Sequence, residues 1–256
     1  MLNFETFDLT GWQWLLLAVA AVFVGIAKTG IPGFGVLVVP LAAMNLPAKT
    51  SIGVVLPMLI FADIFAIIYY RRHADWKHIF RLLPATLVGI GIGFVLIDRI
   101  SNQQLKPMIG VIVLVMLTIY FVRQLRNNAQ TDNAIPKKPH PLLAPIFGFF
   151  VGFTTMLANA AGPVATVYFL MMSLPKKRFV GTAAWFFFIV NWTKVPLYLN
   201  RELITIDSLK LNASLAGFIV IGIILGIFAL KKIPQKAFNI IVQALAAIAA
   251  IKLILP

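Results

Sequence analysis

The chain has 256 residues, 61% of them apolar and 12% charged, with a mean hydropathy of +0.94. That composition excludes an ordinary soluble domain and places most of the chain in a bilayer. Lys and Arg number 22 against 8 Asp and Glu, a formal charge of +14; in a chain this apolar the excess reads as orientation rather than as a nucleic-acid footprint. The absence of cysteine excludes a disulfide scaffold, a thiol nucleophile and thiolate metal sites. His73, His78 and His140 all fall in polar stretches, so neither a metal nor another cofactor is expected.

In chain order, residues 12–27 are apolar, 28–34 break the run with Thr29, Gly30, Pro32 and Gly33, and 35–44 are apolar again. The return stretch reaches only about 16 Å, too short to cross about 30 Å of hydrocarbon. The region reads as a hairpin that enters the membrane and comes back. Three full spans follow at 50–70, 79–97 and 104–121. A second broken region, 142–173, is interrupted at 159–163 and repeats the first design. Spans at 179–199, 209–230 and 235–255 complete the chain.

Loops around 71–81, 123–138, 176–178 and 231–236 carry most of the basic residues, which makes them cytoplasmic. They share one face only if each broken region enters and leaves on the same side. Both termini then lie outside, in the cytoplasmic (inner) membrane of the cell. Glu5 and Asp8 give the N-terminus none of the basic character of a signal peptide.

The order hairpin, span, span, span occurs twice. The expected fold is an all-α integral membrane protein of two repeats, residues 1–126 and 142–256, joined by a cytoplasmic linker at 127–141. Three full spans per copy is an odd number, so the copies are inverted. Weak echoes support the repeat: Val24-Gly25 with Val151-Gly152, Gly33 with Gly162, and Ser51 with Thr182. Inverted repeats with broken helices are the architecture of secondary transporters.

Irregular backbone at membrane depth must be buried in protein or line a watery cavity, so the two tips are candidate sites. Pro32 and Pro163 suit the start of a return half-helix. Both half-helices then aim the positive ends of their dipoles at the protein's middle. Free N–H groups, Gly30, Gly33, Gly35 and Gly162 for close approach, and the Lys28 ammonium make an anion site, with hydrogen bonds from Thr29 and Asn159. Two plainer readings stand beside this one: Lys28 snorkels to the headgroups, and the glycines serve helix packing.

Asp63 and Lys194 are ionisable residues inside spans, at similar positions of the two copies. Asp63 either carries a coupling proton or pairs with Lys28 until an anion competes. Lys194, nearer a membrane surface, either functions or snorkels. Asn191, with Thr193, extends the polar lining. Trp12, Trp14, Trp76 and Trp192 read as an interfacial belt.

The run Gly25-Ile26-Ala27-Lys28-Thr29-Gly30-Ile31-Pro32-Gly33-Phe34-Gly35 through Pro40 resembles the glycine-rich first motif of the TauE/SafE sulfite exporter family, also called TSUP. Gly148 to Gly152 and Asn159-Ala160-Ala161-Gly162-Pro163, followed by Gly181-Thr182, is similar to its counterpart in the second half. The first motif departs from the commoner triple-glycine form by placing Pro32 and Phe34 around Gly33. The resemblance implies passage of small sulfur-containing anions such as sulfite, sulfoacetate or thiosulfate, and it adds Thr182 to the candidate substrate-binding residues.

Three functions compete. A secondary transporter moves the two repeats about the tips, with protons entering through Asp63. An anion channel has the same site without alternation. A membrane enzyme or assembly factor is disfavoured, since no nucleophile constellation or paired carboxylates fall inside the spans. The partners expected are a small sulfur-containing anion, protons and lipid, not nucleic acid.

Overall fold

The protein is described by a computed structural model that covers residues 9–43, 46, 48–100, 102–128 and 141–254. The acidic N-terminal residues Glu5 and Asp8, and residues 129–140 of the expected linker, lie outside the described residues. Ten α-helices form the fold, with no strand among the described residues: α1 (Gly11–Thr29), α2 (Gly35–Ala43), α3 (Ala48–Tyr70), α4 (Trp76–Leu96), α5 (Asn102–Asn128), α6 (Leu143–Ala158), α7 (Ala161–Met171), α8 (Lys176–Asn200), α9 (Ile206–Lys232) and α10 (Gln235–Ile254). The chain is an all-α integral membrane protein.

Thr10 starts α1 with a reciprocal cap, accepting from the Gln13 N–H while the Gln13 side chain accepts from the Thr10 N–H. Thr205 and Ser208 do the same for α9. Four segments are long and apolar enough to cross a membrane: Gly11–Thr29, Thr50–His73, Trp76–Leu96 and Ile206–Lys232. α8 is long enough at 25 residues, but its basic first turn, Asn191 and Lys194 make it more polar. Exposed apolar side chains such as Leu87, Val88, Ile92 and Val95 on α4, and Phe218, Ile221, Leu225 and Phe228 on α9, would be a liability in water and are what a lipid-facing surface requires. Trp12, Trp76 and Trp192 are also exposed.

The breaks fall where the sequence places them, but the arms of each broken region are unequal. α1, with 19 residues, rises about 28 Å, and α6, with 16, about 24 Å. Their return arms α2 and α7 have 9 and 11 residues. The first arm is therefore about twice the length of its return arm in the first region and about one and a half times in the second. At the first break a single 3-10 turn, Pro32–Phe34, links the arms. At the second, Asn159 adopts the left-handed conformation (φ 50°) and the Ala160 N–H returns to the Thr154 carbonyl, closing the end of α6.

Packing comes in matched pairs. α1 lies along α9, and α6 along α4; α3 packs on α8, and α5 on α10. Both hairpin seams are built on glycine. A Cβ on Gly25 or Gly222 would enter the facing backbone of α9 or α1, and one on Gly89 or Gly152 the facing backbone of α6 or α4. Small residues at these positions let the backbones touch, which is how helices gain packing energy where no hydrophobic drive separates protein from lipid. The arm of one half thus rests on the second long helix of the other.

Candidate functional site

α3 and α8 pack against each other and carry Asp63 and Lys194, and the end of α1 adds Lys28. The seam with α9 sets the end of α1 beside α3, so that Lys28 Nζ lies 2.8 Å from Asp63 Oδ1. Asn191 on α8 donates its side-chain amide to the other carboxylate oxygen at 2.8 Å. The Phe187 ring, one turn before Asn191, lies 4.5 Å from the Lys28 ammonium. Asp63 is fully buried and the Lys28 side chain is 11% exposed. The snorkelling reading of Lys28 does not hold, because its ammonium is engaged by a buried carboxylate.

Lys194 makes a second cluster one turn further along α8. Its ammonium donates to Thr155 Oγ1 at 3.0 Å and to Asn159 Oδ1, both from the end of α6. The Asn159 amide in turn donates to the Ile52 carbonyl of α3 at 3.0 Å. Lys194 is 0% exposed, so it does not snorkel either. Its helix neighbour Tyr198 covers it, with the ring 5.6 Å from the ammonium. Lys194 also lies within electrostatic reach of Lys28 and Asp63, which joins the two clusters.

The site therefore contains a buried lysine, Lys194, a largely buried one, Lys28, and a buried acid, Asp63. Asp63 is committed to Lys28 and Asn191, while Lys194 has only uncharged partners. Taking an ammonium out of water without a counter-charge is costly, so the arrangement favours a negatively charged visitor. The start of α7 adds to this. No side chain caps it, and a Cβ on Gly162 would meet nothing within 4 Å, so the first turn of that helix has open space beside Gly162.

Of the residues marked from sequence, Lys28, Asp63, Asn191, Lys194 and Asn159 come together, and Gly162 follows Asn159 by three residues in the first turn of α7. The others make contacts elsewhere in the fold. Thr29 shares its hydroxyl hydrogen between Gly25 O at 2.9 Å and Ile223 O at 3.0 Å, inside the α1–α9 seam. Gly30 abuts Gly226, Gly33 backs onto the Leu245 side chain of α10, and Gly35 opens α2 in ordinary contact with Ala27. Thr182 lies twelve residues from Lys194, about 18 Å along α8, where its hydroxyl accepts from the Asp75 N–H at 2.9 Å. It fastens the α3–α4 loop. Thr155 was missed, although setting Val24-Gly25 on Val151-Gly152 puts it at the position of Lys28. Among the described residues no His, Cys, Asp and Glu grouping suited to a metal occurs.

The family model described as Sulfite exporter TauE/SafE matches residues 17–253. No curated protein and no solved structure matches the chain.

Proposed function

Because the chain belongs to the sulfite exporter TauE/SafE family, a family of membrane transporters of the anion-exporter type, we propose that it carries small sulfur-containing anions such as sulfite, sulfoacetate, thiosulfate or related organosulfonates. One observation supports this most directly: where the broken helices end, Asp63 is paired with Lys28 while the buried Lys194 ammonium has hydrogen-bond partners that are all uncharged. The anion rests against Lys194, Thr155 and Asn159, on the side of the uncapped start of α7 and within electrostatic reach of Lys28, for which it competes with Asp63. Backbone N–H groups and a lysine suit a small, highly hydrated oxyanion better than an apolar pocket would. Asp63 holds Lys28 until the anion, or a proton on the carboxylate, takes its place, and this exchange couples flux to the pH gradient.

The matched pairings of α1 with α9 and of α6 with α4 support two inverted repeats with the basic loops cytoplasmic and both termini outside, in the cytoplasmic membrane. The full burial of Asp63 and Lys194 favours a carrier over an open channel.

The test is flux of labelled sulfite, sulfoacetate and thiosulfate into proteoliposomes. Wild-type protein should transport at least one of them, and Lys194→Gln should abolish that flux. An unchanged rate in Lys194→Gln would remove the site, and single-channel currents would replace the carrier with a pore.

A further inference from the structure

Two tyrosines outside the broken regions, Tyr70 of α3 and Tyr198 of α8, donate to corresponding carbonyls at the two breaks. The register that sets Val24-Gly25 on Val151-Gly152 also sets Thr29 on Met156. Tyr70, the last residue of α3, donates its hydroxyl to the Thr29 carbonyl at 2.8 Å. Tyr198, near the end of α8, donates its own to the Met156 carbonyl at 2.9 Å. Both residues are buried, at 2% and 0% exposure. Each ties the end of a long helix to the last turn of the arm that precedes a break. The accepting carbonyls belong to the final turns of α1 and α6, where no helical N–H follows to satisfy them.

The two contacts lie at opposite faces. Tyr70 leads directly into the basic turn Arg71–His73. Tyr198 stands just before the α8–α9 corner at Arg201. Between them lie Asp63, two turns from Tyr70, and Lys194, one turn from Tyr198, neither with any exposed surface. Asp63 and Lys194 are both shut off from solvent, with Tyr70 beyond the one and Tyr198 beyond the other along their helices.

We propose that Tyr70 and Tyr198 are the two gates of the anion path, Tyr70 closing it toward the basic loops and Tyr198 toward the opposite face, each latched by its hydroxyl-to-carbonyl hydrogen bond. The inference rests on the transport reading of the same centre. The latch suits alternation. When a gate opens, both the hydroxyl and the terminal carbonyl gain water as partners, so the bond is exchanged at small net cost, and the closed state is favoured by about fivefold per latch. Tyr120 is the comparator: its hydroxyl accepts from the Gln243 side-chain amide at 2.7 Å across the α5–α10 pair rather than donating to the carbonyl of a broken arm.

The chain has no cysteine, so a single introduced thiol reports accessibility without background. Asn191→Cys places that thiol at the centre, and a membrane-impermeant methanethiosulfonate is applied to right-side-out and to inverted vesicles. Adding Tyr198→Phe should speed labelling about fivefold from the face of the α8–α9 corner alone. Tyr70→Phe should do so from the face of the basic loops alone, and Tyr120→Phe should change neither rate. Tyr198→Ala and Tyr70→Ala, which remove the rings as well, should give the same sidedness with larger factors. Unchanged labelling in both the Phe and Ala variants, or acceleration from the same face by both tyrosines, would overturn the proposal. Labelling requires no substrate, so its outcome is independent of sulfite flux. Flux with no change in labelling refutes the gates alone, and sided labelling without flux refutes the transport reading alone.

Discussion

Replacing Asp63 with Asn tests the idea that the carboxylate and the transported anion compete for one lysine. The change keeps the shape of the side chain and its bond with Asn191 while removing the only acid of the centre. At 2.8 Å the Lys28–Asp63 attraction amounts to roughly 6 kcal/mol at an effective dielectric of about 20. Much of that is offset by desolvation, and a quarter to a half of it, about 1.5–3 kcal/mol, is available to an incoming anion once the carboxylate is gone. Sulfite should therefore bind Asp63→Asn roughly ten- to a hundredfold more tightly than wild type, by calorimetry or by ligand-induced thermal stabilisation of purified protein. Turnover should fall, because no carboxylate remains to displace the bound anion. Flux should also lose its dependence on the pH gradient. The unliganded variant should melt at lower temperature, since it leaves an unpaired buried ammonium, and saturating anion should restore it. Wild-type or weaker sulfite affinity in a folded Asp63→Asn protein would refute the competition, and retained pH-gradient dependence would refute the coupling.

Lys194→Met should abolish flux yet raise the melting temperature, because an apolar side chain of similar size removes the desolvation cost of a buried ammonium with no acid partner; thermal unfolding in detergent checks it. Thr29→Val should cost about 1 kcal/mol of stability through the lost seam bond while leaving sulfite affinity unchanged, which separates a packing residue from a ligand. Gly152→Leu should prevent folding, since even its Cβ would enter the Thr86 carbonyl; loss of the monodisperse peak on size exclusion reports it. Gly162→Ala, with open space around its Cβ, should fold normally.

The broken regions were legible from sequence because prolines and glycines interrupt runs otherwise apolar enough to cross a bilayer. Both Lys28 and Asp63 stood out for the same reason: a charge in such a run is rare enough to be read singly. The glycines were not separable by the same means. Gly25, Gly30 and Gly152 sit in helix seams, whereas Gly162 borders open space, and nothing in the one-letter string distinguishes a glycine that lets a helix approach from one that lets a ligand approach. Thr155 and the two latching tyrosines escaped notice because Thr and Tyr are unremarkable in transmembrane helices until their partners are known.

Composition and charge placement by themselves determined that the chain is a helical membrane protein whose basic loops gather in a few places, because a bilayer admits only such segments and sorts lysine and arginine by side. They also singled out Lys28, Asp63 and Lys194 as the charges set at a break or well inside a span. Only the tertiary structure decided how the three divide. Asp63 pairs with Lys28 because the α1–α9 seam delivers the end of α1 to α3, while Lys194 is left to Thr155 and Asn159 because the α4–α6 seam delivers the end of α6 to α8. Contacts between helices far apart in sequence depend on backbone approach across those seams, and that distance is a property of the fold rather than of any local pattern.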